Sequence, residues 1–142
     1  MKIAVRYQSR GGNTKAAAEL IAKAAGVTAE SVDVPISEPV DLLFIGGGVY
    51  AWDIDKELKA YLAGLNPETV GAAAAFSTAG GMNGAKKIAA VLKTRGINVR
   101  EEMLALRLLA RNHTMLGGKG AGVTLSDKET KTVEDFVSKM IA

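Results

Sequence analysis

The sequence predicts an α/β domain: a doubly wound sheet of five parallel strands with helices on both faces. Three observations carry that expectation. Nearly unbroken apolar runs such as Val40 to Ile45 read as strands buried on both sides, as parallel strands between helices are. Segments of helical period alternate with them along the chain. Three glycine-rich loops, Ser9 to Thr14, Gly46 to Asp55 and Ser77 to Gly84, each follow a strand, where folds of this class bind ligands.

Taken in order, Lys2 to Tyr7 is a short β-rich run ending near Gly11-Gly12. From Asn13 the period becomes helical, with Ala16, Ala17, Leu20, Ile21 and Ala24 on one face and Gly26 at the C-cap position. Ser31 to Val34 reads as a second strand before Pro35 and Pro39, and Val40 to Ile45 as a central third strand stopped by Gly46-Gly47-Gly48. Asp53 or Asp55 can cap a second helix that turns Ile54, Leu58, Tyr61 and Leu62 inward and ends at Gly64. Ala72 to Ser77 is the fourth strand, and the next helix bears Ile88, Ala89 and Leu92 and closes at Gly96. Ile97 to Leu106 reads as strand five, and Arg107 to Val123, with four glycines and no clean period, as loop or broken strand. Ser126-Asp127-Lys128-Glu129 is a capping box opening a last helix with Val133, Phe136, Val137 and Met140 on one face. Without linkers or repeats, residues 1–142 read as one domain.

Composition removes several functions. The chain has no cysteine, so disulfides, thiolate nucleophiles and Cys-ligated zinc or iron–sulfur clusters are excluded, and redox chemistry would need a bound cofactor. The apolar run at the N-terminus breaks at Arg6, too short for a signal peptide or a membrane span, and a cytoplasmic location is expected. The net charge of +3 is spread over helices interleaved with acids, without the aromatic-basic platform of a nucleic-acid binder. His113, the only histidine, stands beside Arg111 and Asn112 without the clustered carboxylates of a metal site and reads as a loop residue. Arg107, Arg111 and Lys119 read as solvated charges that together can meet an anionic partner.

The first loop has its own chemistry. A glycine pair followed by Asn13 and Thr14 at a helix start offers backbone N–H groups and the positive end of a helix dipole, a setting that holds phosphate. Ser9 and Thr14 add hydroxyls, and no carboxylate stands in the loop. The competing signatures fail on particular residues. Thr14 precedes Lys15 rather than following a lysine, as a GxxxxGK[ST] loop requires, and the adjacent Gly11-Gly12 cannot make GxGxxG. A response-regulator receiver would need acids where Gln8, Ser9 and Gly46 stand, and a low-molecular-weight tyrosine phosphatase a cysteine.

Ser9-Arg10-Gly11-Gly12-Asn13-Thr14 resembles the [ST]-x-[ST]-G-x-T phosphate loop of the flavodoxin family. Ile45-Gly46-Gly47-Gly48-Val49-Tyr50 is similar to that family's second flavin loop, and Phe76-Ser77-Thr78-Ala79-Gly80-Gly81 to its third. The likeness covers essentially the whole chain, least well from Arg107 to Val123, and extends to the short flavodoxin-like quinone-linked oxidases of haem synthesis. It implies a flavodoxin-like strand order and FMN as cofactor. Ser9, Arg10, Gly11, Gly12, Asn13 and Thr14 would then surround the phosphate. Gly48, Val49, Tyr50, Ala51 and Trp52 would lie along the ring, with Tyr50 or Trp52 stacked on it. Thr78, Ala79, Gly80 and Gly81 would present backbone groups to the pyrimidine edge, and Met82 is either a ring contact or a gap filler.

Three departures qualify the resemblance. Gly11 replaces the middle hydroxyl, a loss that Arg10 can offset. Ala51 stands where flavodoxins often have glycine, which resists positive φ. The chain is net basic where flavodoxins are strongly acidic. The expected role is an electron carrier passing electrons to a redox partner protein or a quinone. An FMN-dependent quinone or protoporphyrinogen-type oxidoreductase, and a binding or regulatory module with a weakened site, are the alternatives.

Overall fold

The computed structural model of the protein describes residues 1–10, 12–50, 53–78, 83–106 and 125–142. Strand β1 (Ile3–Tyr7) runs parallel to β2 (Ala29–Ser31) on one side and to β3 (Val40–Gly47) on the other. Beyond β3 lies β6 (Val70–Ser77), and along the outer edge of β6 pair first β7 (Asn98–Val99) and then β8 (Leu104–Ala105). The sheet therefore has five parallel positions in the order β2-β1-β3-β6-β7/β8, the doubly wound arrangement expected. Between β3 and β6 stand β4 (Val49–Tyr50) and β5 (Asp53–Ile54), an antiparallel pair of their own.

The alternation of side chains along the strands builds two cores. Val5, Leu42, Phe44, Ala74 and Phe76 face helices α1 (Asn13–Ala25) and α4 (Asp127–Ile141), where the Phe44 and Phe136 rings meet edge-on at 5.9 Å. Ala4, Leu43, Ile45, Ala73 and Ala75 face α2 (Lys56–Ala63) and α3 (Asn83–Thr94), whose Leu58, Leu62, Ile88 and Leu92 are fully buried. Four consecutive alanines, Ala72 to Ala75, let helices approach β6 closely on both faces.

Three elements depart from expectation. β2 comes two residues early, because the Ser31 hydroxyl accepts from the Asp33 N–H (3.1 Å) and Val34 N–H donates to the Ser31 carbonyl (3.0 Å), making a turn where a strand was expected to begin. β3 does not stop at its glycines: Gly46 and Gly47 pair in register with Phe76 and Ser77 of β6. A Cβ at Gly46 would overlap the Phe76 ring, and one at Gly47 the Leu58 side chain, so glycine here serves close packing inside the strand. Of the two acids expected to cap α2, it is Asp55 that does so. Strand five is split, since residues 100–103 stand between Val99 and Leu104 where only Ala74 and Ala75 separate their partners Ala73 and Phe76. The excess residues bulge out of the ladder. The segment 107–123, with its His113, Arg107, Arg111 and Lys119, lies outside the described residues.

Candidate functional site

The carboxyl ends of β1, β3 and β6 lie side by side, and the chain reverses direction of travel across the sheet between β1 and β3. That reversal opens the crevice in which such sheets receive ligands. Gln8 N–H still donates to the Gly46 carbonyl at 3.0 Å, so β1 and β3 stay joined up to the rim.

From there the chain turns through the first loop. The Ser9 hydroxyl accepts from the Gly12 N–H at 2.9 Å, which folds the loop back on itself and leaves the hydroxyl proton to point elsewhere. Gly12 sits at φ 96°, in the left-handed region that glycine adopts without strain. It is the N-cap of α1, yet no side chain caps that helix and its first turn has no acid. The turn therefore keeps the positive end of the helix dipole uncompensated from within. Thr14, 3% exposed, meets the equally buried Thr78 through their hydroxyl oxygens at 3.0 Å, joining the first loop to the end of β6. One proton serves that bond, so the other hydroxyl of the pair retains a proton to donate. Asn13 is buried beside them, and Gly48 is buried at the end of β3.

The start of α2 is built the opposite way. Asp55, 4% exposed, accepts from Glu57 N–H (2.7 Å) and Leu58 N–H (3.4 Å) through Oδ1. Its Oδ2 accepts from Arg10 Nε (3.1 Å) and Nη2 (2.8 Å). The Arg10 guanidinium, expected to offset the hydroxyl missing at Gly11, is thus turned onto α2 and ties the first loop to it. In front of α2, Asp53 is bonded by Lys59 and by its neighbour's backbone, Ile54 N–H at 2.8 Å. The bond from Lys59, then that from Ile54, holds the Asp53 carboxyl below its ordinary value.

Of the expected site residues, Ser9, Gly12, Asn13, Thr14, Gly48 and Thr78 come together on one rim. The backbones of Val49 and Tyr50 lie in β4, next to that rim. Gly11, Ala51, Trp52, Ala79, Gly80, Gly81 and Met82 lie outside the described residues, as does the Tyr50 side chain. Two participants went unforeseen. Asp55 was read only as a helix cap, although its place after a glycine-rich loop marked it as a second anchor. Gln8 ends an apolar strand, and its buried Oε1 has no hydrogen-bond partner among the described residues. A polar residue closing an apolar strand was the available signal.

Among the described residues no helix is long and apolar enough to cross a membrane. A flavodoxin domain model matches residues 4–131. No curated protein matches the chain. Among solved structures, rubredoxin oxygen:oxidoreductase from the anaerobe Desulfovibrio gigas is similar with a TM-score of 0.70 at 15% identity; the match covers 96% of this chain but only 34% of that one, so this chain spans about a third of its length. A flavoprotein of Bacteroides eggerthii, itself known only by tentative assignment, is similar at TM-score 0.59 and 19% identity over 96% and 98% of the two chains. The two-electron reduced flavodoxin of Megasphaera elsdenii is similar at TM-score 0.52 and 17% identity over 96% and 98%. At these identities the likeness is one of fold.

Proposed function

The chain belongs to the flavodoxin domain family, and from that premise we propose that it binds FMN at the carboxyl end of its sheet and passes electrons through it. The observation that carries the reading is the start of α1: a left-handed Gly12, no side-chain cap and no acid in the first turn, flanked by the hydroxyls of Ser9, Thr14 and Thr78. These groups suit a terminal phosphate monoester, which needs donors and a positive dipole and is repelled by carboxylates. Ser9 and Thr14 would donate hydroxyl protons to phosphate oxygens, Gly12 and Asn13 would line it with backbone, and Thr78 would fix the orientation of Thr14. Gly11, Arg10, Gly48, Val49, Tyr50, Ala51, Trp52, Ala79, Gly80 and Gly81 complete the proposed site. The bound flavin would supply one- or two-electron chemistry, and the protein would set its potential through contacts and charge.

A second reading, an FMN-dependent oxidoreductase acting on a quinone or a protoporphyrinogen-type substrate, is favoured by the Desulfovibrio gigas likeness, since there the same fold forms part of an oxygen:oxidoreductase chain. Steady-state turnover with NAD(P)H and a quinone separates it from a carrier. The primary test is titration with FMN and riboflavin, followed by visible absorbance and fluorescence. FMN should bind at least about tenfold more tightly, because a charge-assisted phosphate contact is worth about 1.5–3 kcal/mol. Equal affinity for the two flavins, or a protein that stays colourless with FMN, refutes the proposal, and the latter outcome leaves a binding or regulatory module.

A further inference from the structure

The charge of this chain is unevenly placed. Between Glu68 and Glu101 the sequence has no acidic residue, yet it contains Lys86, Lys87, Lys93, Arg95 and Arg100. All of α3 falls inside that stretch. Helix α2 packs beside α3 on the same face of the sheet and adds Lys56 and Lys59, with Asp53 and Glu57 as the acids nearby. The two helices begin at the same rim, since Lys87 is close enough to Asp53 to act on its carboxyl and α3 packs against β5. Lys59 pairs with Asp53, and Asp55 is occupied by Arg10. Lys56, Lys86 and Lys87 make no ion pair among the described residues, and Lys56 and Lys86 are exposed.

The opposite face is balanced. On α1, Lys15 and Lys23 stand with Glu19; on α4, Lys128, Lys131 and Lys139 stand with Asp127, Glu129, Glu134 and Asp135. Lys131 bonds Asp135, and Lys139 bonds Glu102. Among the described residues, positive charge without acids on the same helix is therefore found on α3, beside α2 and next to the rim that holds Arg10, Gly48 and Thr78.

We infer that the first turns of α2 and α3, carrying Lys56, Lys86 and Lys87, are a docking surface for an acidic redox protein. The inference rests on the electron-transfer reading for its purpose, but the surface itself is defined by charge. Unpaired lysines beside a rim steer an oppositely charged partner at long range and orient it with that rim inward. A membrane would want apolar side chains to insert, and the large exposed apolar residues among those described, Met1 and Val34, lie on neither helix. A nucleic acid would want stacking rings or arginines, whereas the cations on the first turns of both helices are lysines, and Glu57 stands among them on α2.

The test uses the full chain with FMN added and an acidic plant-type [2Fe–2S] ferredoxin as probe, read by backbone amide shifts in an NMR titration. Expected are shifts confined to the first turns of α2 and α3 and the adjoining rim, and an affinity that falls steeply with added salt. The K86E/K87E variant should bind the ferredoxin at least about tenfold more weakly, while K128E/K131E, which makes the same change in net charge on the balanced face, should stay within about twofold. All four lysines have exposed or half-exposed side chains on helix surfaces, so both variants should fold, and circular dichroism checks this. Equal losses in the two variants would reduce the effect to net charge and overturn the inference. So would binding to phosphatidylglycerol vesicles with no response to ferredoxin. Failure of FMN to bind would overturn the proposed function instead, and the amide shifts would still report on the surface.

Discussion

Helices α1 and α2 start on the same rim and solve the problem of their unbonded N–H groups in opposite ways. Helix α2 is closed from within: Asp55 caps it with one carboxylate oxygen and takes Arg10 with the other. Helix α1 is left without a side-chain cap, behind a glycine at φ 96° and with no acid in its first turn. A self-capped helix has nothing to offer an anion, whereas an uncapped one is completed by it. The difference supports the proposed ligand site at the start of α1, by what the chain has declined to fill, and the variants that follow either erase that contrast or sharpen it.

The largest effect should come from making α1 resemble α2. Thr14→Asp puts a carboxylate in the first turn of α1 and removes a hydroxyl that meets Thr78. The helix dipole favours an acid here while burial opposes it, so circular dichroism checks the fold, and FMN affinity should drop on the order of a hundredfold, from lost donation and added repulsion. Isothermal titration measures it, and unchanged affinity would place the phosphate elsewhere. Next, Gly12→Ala forces a Cβ into the left-handed region and should cost about 1–2 kcal/mol in urea unfolding, with FMN absent. A neutral result would mean that the loop relaxes out of the positive φ at little cost.

How much of this was legible in the sequence depends on whether a residue's role is set locally. The capping box of α4 was readable because both of its bonds lie within four residues: Glu129 N–H to Ser126 (3.2 Å) and Ser126 N–H to Glu129 (2.8 Å). The parallel β3 was readable from its apolar run, and the first loop from its glycines. The glycines of β3 misled because their reason is distant: Phe76 and Leu58 occupy the space a Cβ would need. Strand five looked continuous because nothing local marks the excess residues between Val99 and Leu104 relative to β6. Arg10 looked available to a phosphate because its partner lies 45 positions away.

Asp55 allows the contrast to be sharpened from the other side. Asp55→Asn keeps an oxygen to cap α2 and removes the charge that holds Arg10; Asp55→Ala removes both. The cap is worth about 1 kcal/mol. The pair is worth less than its short distance suggests, about 0–1 kcal/mol, because the Arg10 side chain is 58% exposed and screened by water. Thermal unfolding should therefore rank parent, Asn and Ala in falling order, with Ala below Asn by about the value of the cap. If Asn and Ala coincide, α2 does not depend on its own cap, and the two helix starts are more alike than they look.

The smallest effect concerns the other carboxylate at the start of α2. The Asp53 side chain is half-exposed, and its carboxyl is held below its ordinary value of 3.8 first by Lys59 and then by Ile54 N–H. In the unfolded chain the group returns to about that ordinary value. Between the two values the unfolded state binds more protons, so stability rises with pH across that window. The contribution is complete above 3.8 and is lost as pH falls below it through the depressed folded value. Lys59→Met removes the first cause and should flatten the acid limb of a melting-temperature profile while leaving neutral pH almost unchanged, as expected for an exposed pair. Because Asp53 lies on the rim but outside the first loop, FMN affinity in this variant should follow the parent at every pH where both are folded. A loss of affinity in Lys59→Met that tracks the Asp53 titration would mean that the α2 side also faces the phosphate, and the division between an open α1 and a closed α2 would have to be redrawn.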